Sequence, residues 1–111
     1  MPEDCVFCKI IRGEIPSEKI LENKDFVAIK TIEPKVDGHF LVIPKKHYAD
    51  FLKMPRGDYQ KFLEFLRDCV GTFNGDFNVI LNNGKNAGQV VEHMHFHILP
   101  RKFEDGFVLN C

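Results

Sequence analysis

His93-Met94-His95-Phe96-His97-Ile98-Leu99 alternates imidazoles with apolar side chains, and this stretch decides how the chain is read. A period of two is the period of a β-strand, so His93, His95 and His97 fall on one face and Met94, Phe96 and Ile98 on the other. The apolar row can bury itself. The other row lines up three imidazoles roughly 6.5–7 Å apart, from a rise of about 3.3 Å per residue. A lone histidine is most often a satisfied core or surface residue. Three in strict alternation point instead to a metal site or to imidazole catalysis. A neutral ring nitrogen is available near pH 7 because the ordinary pKa is about 6.5, which suits nucleophilic attack on phosphorus through a covalent intermediate.

Working outward, the strand is expected to run from Gln89 to Leu99 and to end at Pro100. Before it lies Asn82-Asn83-Gly84-Lys85-Asn86-Ala87-Gly88, a loop of residues that tolerate unusual backbone angles. Its glycines let backbone N–H groups approach phosphate oxygens, and Asn82 and Gln89 can donate hydrogen bonds. Phe77 to Asn82 reads as a strand. Tyr59, Phe62, Leu63, Leu66, Cys69, Val70 and Phe73 form one apolar stripe at helical spacing, begun by Pro55-Arg56-Gly57-Asp58 and stopped by Asn74-Gly75. His39 to Ile43 reads as a buried strand stopped by Pro44. Ile20-Leu21-Glu22 and Phe26 to Ile29, around Asn23-Lys24-Asp25, form a hairpin signature, and Cys8 to Gly13 a short helix closed by its glycine. Several strands and one long helix, without regular alternation, make an α+β fold: an antiparallel sheet of about five strands with two helices.

The bulk properties set limits. The 111 residues suit a single domain spanning 1–111, with 44% apolar and 28% charged side chains. A net charge of −1 gives no strong basic field, which argues against non-specific nucleic-acid binding. No apolar run approaches a membrane span, and the acidic start, Met1-Pro2-Glu3-Asp4, is unlike a secretory signal; a cytoplasmic protein is expected. There four cysteines point to metal binding or burial rather than a disulfide framework. Cys69 lies on the helix stripe and is expected in the core, and no role is assigned to Cys111. Lys45-Lys46 reads as a solvated turn.

The histidine run also resembles the His-φ-His-φ-His-φ-φ signature of the histidine-triad (HIT) superfamily. The resemblance extends over Phe7 to Ile11 with Gly13 to Pro16, Gly38 to His47, and Asn82 to Gln89. It is similar to the nucleoside phosphoramidase branch, the histidine triad nucleotide-binding proteins. The resemblance implies an HIT-like fold, a homodimer that joins two sheets with the long helix at the interface, and a purine nucleotide such as AMP as ligand. It implies that His95 attacks the α-phosphorus, that His97 contacts a phosphate oxygen, and that His39 stands in the polar cluster behind them. Asn82, Gly88 and Gln89 would cradle the phosphate; Val6, Phe7, Ile10, Ile29 and Ile32 match positions lining a base and ribose pocket. Thr31 departs from the branch, standing where an acidic residue binds the ribose hydroxyls. Val90 stands where a Ser or Thr lies near the phosphate.

Cys5 and Cys8 have the C-x₂-C spacing common in zinc sites, and His47 and His93 are candidate partners. Some members of the family resemble this arrangement, implying a structural zinc on Cys5, Cys8, His47 and His93 and no catalytic metal. A pair of reduced thiols without metal is the alternative. The expected reaction is hydrolysis at the α-phosphate of a nucleoside phosphoramidate or related nucleotide through a nucleotidyl-histidine. Dinucleoside polyphosphate hydrolysis is one rival, and a non-catalytic nucleotide-sensing or partner-binding module is another.

Overall fold

The computed structural model describes residues 3–109; Met1 and Pro2 of the acidic start, and Cys111, to which no role is assigned, lie outside them. Five strands form one antiparallel sheet: β1 (Lys19–Glu22), β2 (Phe26–Lys30), β3 (Phe40–Pro44), β4 (Asp76–Ile80) and β5 (Phe96–Arg101), in spatial order β1-β2-β3-β5-β4. Two α-helices, α1 (Val6–Ile11) and the longer α2 (Tyr59–Val70), complete the α+β architecture. The β1–β2 turn is set by Asn23, whose side-chain oxygen accepts the backbone N–H groups of Asp25 and Phe26 at 2.9 and 2.8 Å. Gly13, at φ +81°, closes α1 in a conformation that side chains with a Cβ avoid.

The alternation of side chains in β2 and β3 fills two cores. Phe26, Ala28, Phe40 and Val42, with Phe96 and Ile98 of β5, pack under α2 against Phe62, Phe65 and Cys69. Val27, Ile29, Leu41 and Ile43 point the other way and pack with Cys5, Phe7 and Cys8 of the N-terminal segment. Both strands are thus buried on both faces, which is why they read as continuous apolar runs. Cys69 is fully buried, as its place on the stripe predicts. The stripe itself is shifted from the expected one: Phe65 is buried and Leu63 is 55% exposed. The helix ends at Val70, capped by the Gly71 N–H on the Arg67 carbonyl, three residues before the expected last stripe residue, Phe73.

One expected element is shorter than its pattern. Residues 89–95 are not strand; β5 begins at Phe96. The Met94 N–H is drawn to the Tyr48 carbonyl and the His93 carbonyl to a side chain, so neither joins the ladder. The alternation of faces nonetheless persists, with Met94 in the first core and His93 against Phe7. Nor does Pro100 end the strand. The β3 pairing stops at Ile98, so Pro100 is paired on the β4 side alone, and its missing N–H breaks no ladder on both sides.

Phe62 is fully buried and packs on Phe26 and Phe96 with ring centroids 5.3 and 5.2 Å away. Phe62→Ala is expected to destabilise the fold by roughly 3–5 kcal/mol in denaturant unfolding, the range for a large aromatic truncated inside a packed core.

Candidate active site and metal centre

His95 is 6% exposed and lies at the entry to β5. Its Nδ1 is 2.7 Å from the His93 carbonyl oxygen, which only accepts, so Nδ1 carries the proton. Burial pushes the ring below its ordinary pKa, outweighing that hydrogen bond, so it is neutral and Nε2 is bare. Every buried side-chain nitrogen or oxygen among the described residues has a partner. Nε2 of His95 has none, so it is the part of the ring that opens to the surface. Phe7 packs edge-on against the ring, with centroids 5.0 Å apart.

A chain of hydrogen bonds orders the other two imidazoles. The Lys35 N–H donates to Nδ1 of His39 at 3.0 Å, so neutral His39 carries its proton on Nε2. That Nε2 lies 3.0 Å from Nδ1 of His97 and donates to it, leaving the His97 proton on Nε2. Burial holds His39 below its ordinary pKa, with Lys35 adding to the effect. Burial also pulls His97 down to about 4, helped by His95, His39 and Lys35. The site therefore presents a bare nitrogen on His95 and a donor N–H on His97, on rings whose centroids are 5.1 Å apart.

The remaining predicted residues are placed unevenly. Phe7 and Ile29 are buried in the second core, Ile10 packs against it, and Val6 is 37% exposed. Ile32 is 95% and Val90 91% exposed, so neither is packed into the protein within this chain. The Thr31 hydroxyl accepts the Glu33 N–H at 3.3 Å. Gln89 is a staple of its loop: Nε2 donates to the Ala49 and Val91 carbonyls, and Oε1 accepts the Gly84 N–H. Its amide is thus engaged, and so are the backbone N–H groups of Ala87, Gly88 and Gln89, each donating to a carbonyl of Gly84 or Lys85 at 3.1 Å, with Gly88 at φ +93°. Asn82 is partly buried at the loop's start. The groups missed from sequence are backbone atoms, the Lys35 N–H and the Pro44 and Tyr48 carbonyls, which no residue type announces.

Cys5, Cys8, His47 and His93 converge, with their ligand atoms within 4.8 Å of one another, close enough to hold a metal ion. Nδ1 of His93 lies 3.4 Å from Cys5 Sγ, 3.6 Å from Cys8 Sγ and 3.1 Å from Nδ1 of His47, and Cys8 Sγ lies 3.4 Å from that same nitrogen. A tetrahedral ion with bonds of about 2.3 Å to sulfur and about 2.05 Å to nitrogen requires S–N edges of about 3.6 Å and N–N edges of about 3.3 Å. The donor set fits. His93 Nε2 donates to the Pro44 carbonyl at 2.8 Å, which fixes the tautomer that frees Nδ1 as a ligand. Without a cation, burial pushes the Cys8 thiol up to about 11, with the neighbouring Cys5 adding to the rise. Bound cations reverse that preference and favour the thiolate.

The family model described as HIT domain matches residues 12–104. An uncharacterized HIT-like protein of Methanocaldococcus jannaschii is 44% identical over 96% of this chain and 85% of its own length. Adenosine 5'-monophosphoramidase HNT1 of Candida albicans is 42% identical, covering 90% of this chain and 72% of its own. A crystal structure of a HIT family protein from Bacillus anthracis superposes with a TM-score of 0.91 at 35% identity, over all of this chain and 83% of that one.

The histidine relay predicts a pH signature. Because the folded pKa of His97 lies below the ordinary 6.5, the unfolded chain binds more protons between 6.5 and about 4, so this ring's contribution to stability is lost as pH falls through that window. Imidazole NMR titration is expected to place the His97 midpoint near 4; a midpoint at 6.5 or above overturns the neutral relay.

Proposed function

For this chain, which belongs to the HIT domain family, we propose the role of a nucleotide hydrolase acting at the α-phosphate of a nucleoside phosphoramidate. The observation that carries the reading is the bare, outward-facing Nε2 of His95, held so by the Nδ1–H bond to the His93 carbonyl. Nε2 attacks phosphorus, the P–N bond breaks with its electron pair going to nitrogen, and the amine departs with a proton taken from solvent, leaving a nucleotidyl-histidine. Water then gives its hydroxyl to phosphorus as the P–Nε2 bond breaks, its proton passes to solvent, and nucleoside monophosphate leaves with Nε2 bare again. The Nε2–H of His97 faces the phosphate oxygens, and His39 keeps that proton in place through Nδ1 of His97. The relative named as an adenosine 5'-monophosphoramidase supports adenosine 5'-phosphoramidate as the first substrate and AMP as the product.

Cys5, Cys8, His47 and His93 would hold zinc in a closed Cys₂His₂ site. When bound it supplies structural cross-linking, tying the N-terminal segment to the sheet, and the attack on phosphorus belongs to His95. Two features support a homodimer. β4 is paired on one side only, and Phe77, Val79 and Leu63 of α2 are exposed apolar side chains. Among the described residues no helix is long and apolar enough to cross a membrane.

Turnover of adenosine 5'-phosphoramidate and of a diadenosine polyphosphate, measured on wild type and His95→Ala together, tests the chemistry. Phosphoramidate turnover is expected in wild type and a loss of at least about 10³-fold in the variant, in line with removal of a covalent nucleophile. Preference for the polyphosphate moves the substrate assignment, and no turnover of either by wild type refutes the hydrolase reading for both. Leu63→Asp is expected to shift sedimentation from dimer to monomer; an unchanged dimer excludes this face of α2 from the interface.

A further inference from the structure

The peptide joining His93 to Met94 has both polar atoms engaged at short range. Its carbonyl accepts Nδ1–H of His95 at 2.7 Å, and its N–H donates to the Tyr48 carbonyl at 2.7 Å. Each attachment begins beside the Cys₂His₂ cluster. His93 is one of the four cluster residues, and Tyr48 directly follows another, His47. A third connection runs through α1. Phe7, between the two cysteines, packs edge-on against both His93 and His95, at 5.7 and 5.0 Å.

We infer that the cluster of Cys5, Cys8, His47 and His93 is a positioning device for His95, so that holding a divalent cation there keeps the His93 carbonyl and Phe7 where they fix the ring with Nε2 bare and facing outward. A neutral imidazole can carry its proton on either nitrogen, and an acceptor aimed at Nδ1 selects the tautomer that attacks. Once the four side chains separate, that acceptor is anchored only through Tyr48 and Pro44, and the ring is free to carry its proton on Nε2. This inference rests on the reading of His95 as nucleophile.

The site is also placed for exchange. A cavity of about 430 Å³ opens beside it, lined by Cys5 and His47, with the carboxylates of Asp4 and Glu92 among its walls. His47 is the half-buried member of the cluster, and nearby carboxylates raise the local concentration of cations. Metal availability is thereby coupled to the state of the nucleophile.

The test compares protein carrying one equivalent of Zn²⁺ with chelator-treated protein, reading the His95 ring by ¹⁵N NMR and the kinetics of phosphoramidate turnover. The loaded protein is expected to show the Nδ1–H form alone. The stripped, folded protein is expected to show a mixture of tautomers and a kcat lower by about 10–100-fold with KM little changed. His47→Gln is expected to reproduce the stripped state, and His47→Cys, which restores a ligand without the imidazole, to return both readouts. An unchanged tautomer in folded, metal-free protein overturns the inference. If stripping unfolds the chain, Zn²⁺ and the larger Cd²⁺ are compared in folded protein: a shifted His95 Nδ1–H resonance supports the coupling and an identical one overturns it. Retained turnover in His95→Ala would refute the nucleophile instead, and the tautomer readout would still judge the coupling.

Discussion

The hydrogen bond from His95 Nδ1 to the His93 carbonyl is the constraint on which the rest of this structure depends. It removes that carbonyl from the sheet, delays the start of β5 to Phe96, and leaves one imidazole nitrogen bare at the surface. An irregular segment is therefore needed where the sequence pattern asks for a strand. Its cost is reduced because displaced backbone groups find partners elsewhere: the Met94 N–H reaches Tyr48, the His93 carbonyl accepts from His95, and Gln89 staples the loop upstream with three bonds.

Around that constraint the fold divides its labour between two sheet faces. The α2 face is a conventional aromatic core built from Phe26, Phe62, Phe65 and Phe96. The other face has little helix to cover it. Six residues of α1 do so, with Cys5 as N-cap accepting the Cys8 N–H and both thiols turned toward His47 and His93. A helix of this length is marginal by itself, so its packing and the cluster at its start hold it in place.

The parts legible in the sequence are those governed by period or by scarce residue types. The five strands and two helices follow from apolar spacing, and the Cys/His cluster from the small number of side chains that ligate metals. The parts that were not legible involve the backbone. Nothing in the residue types of 89–95 shows that a carbonyl will be taken by a side chain, and so the strand reads too long. Helical spacing places Leu63 on the apolar stripe and omits Phe65, yet Phe65 is buried and Leu63 faces outward. Gln89 looks like a free donor until its partners are seen. Ile32 looks like pocket lining, yet within the chain it meets solvent.

Burial of β2 and β3 on both faces has a further consequence, for the hierarchy of motion. Their amides are released to solvent only when both cores open together, so they should exchange hydrogen at the rate of global unfolding. The 84–90 loop, with exposed Lys85, Asn86, Ala87 and Val90, draws on neither core and can fluctuate at far lower free energy. The histidines stand between a segment that scarcely opens and one that opens readily, so a ligand can be admitted by the loop while the sheet that aims the imidazoles stays rigid.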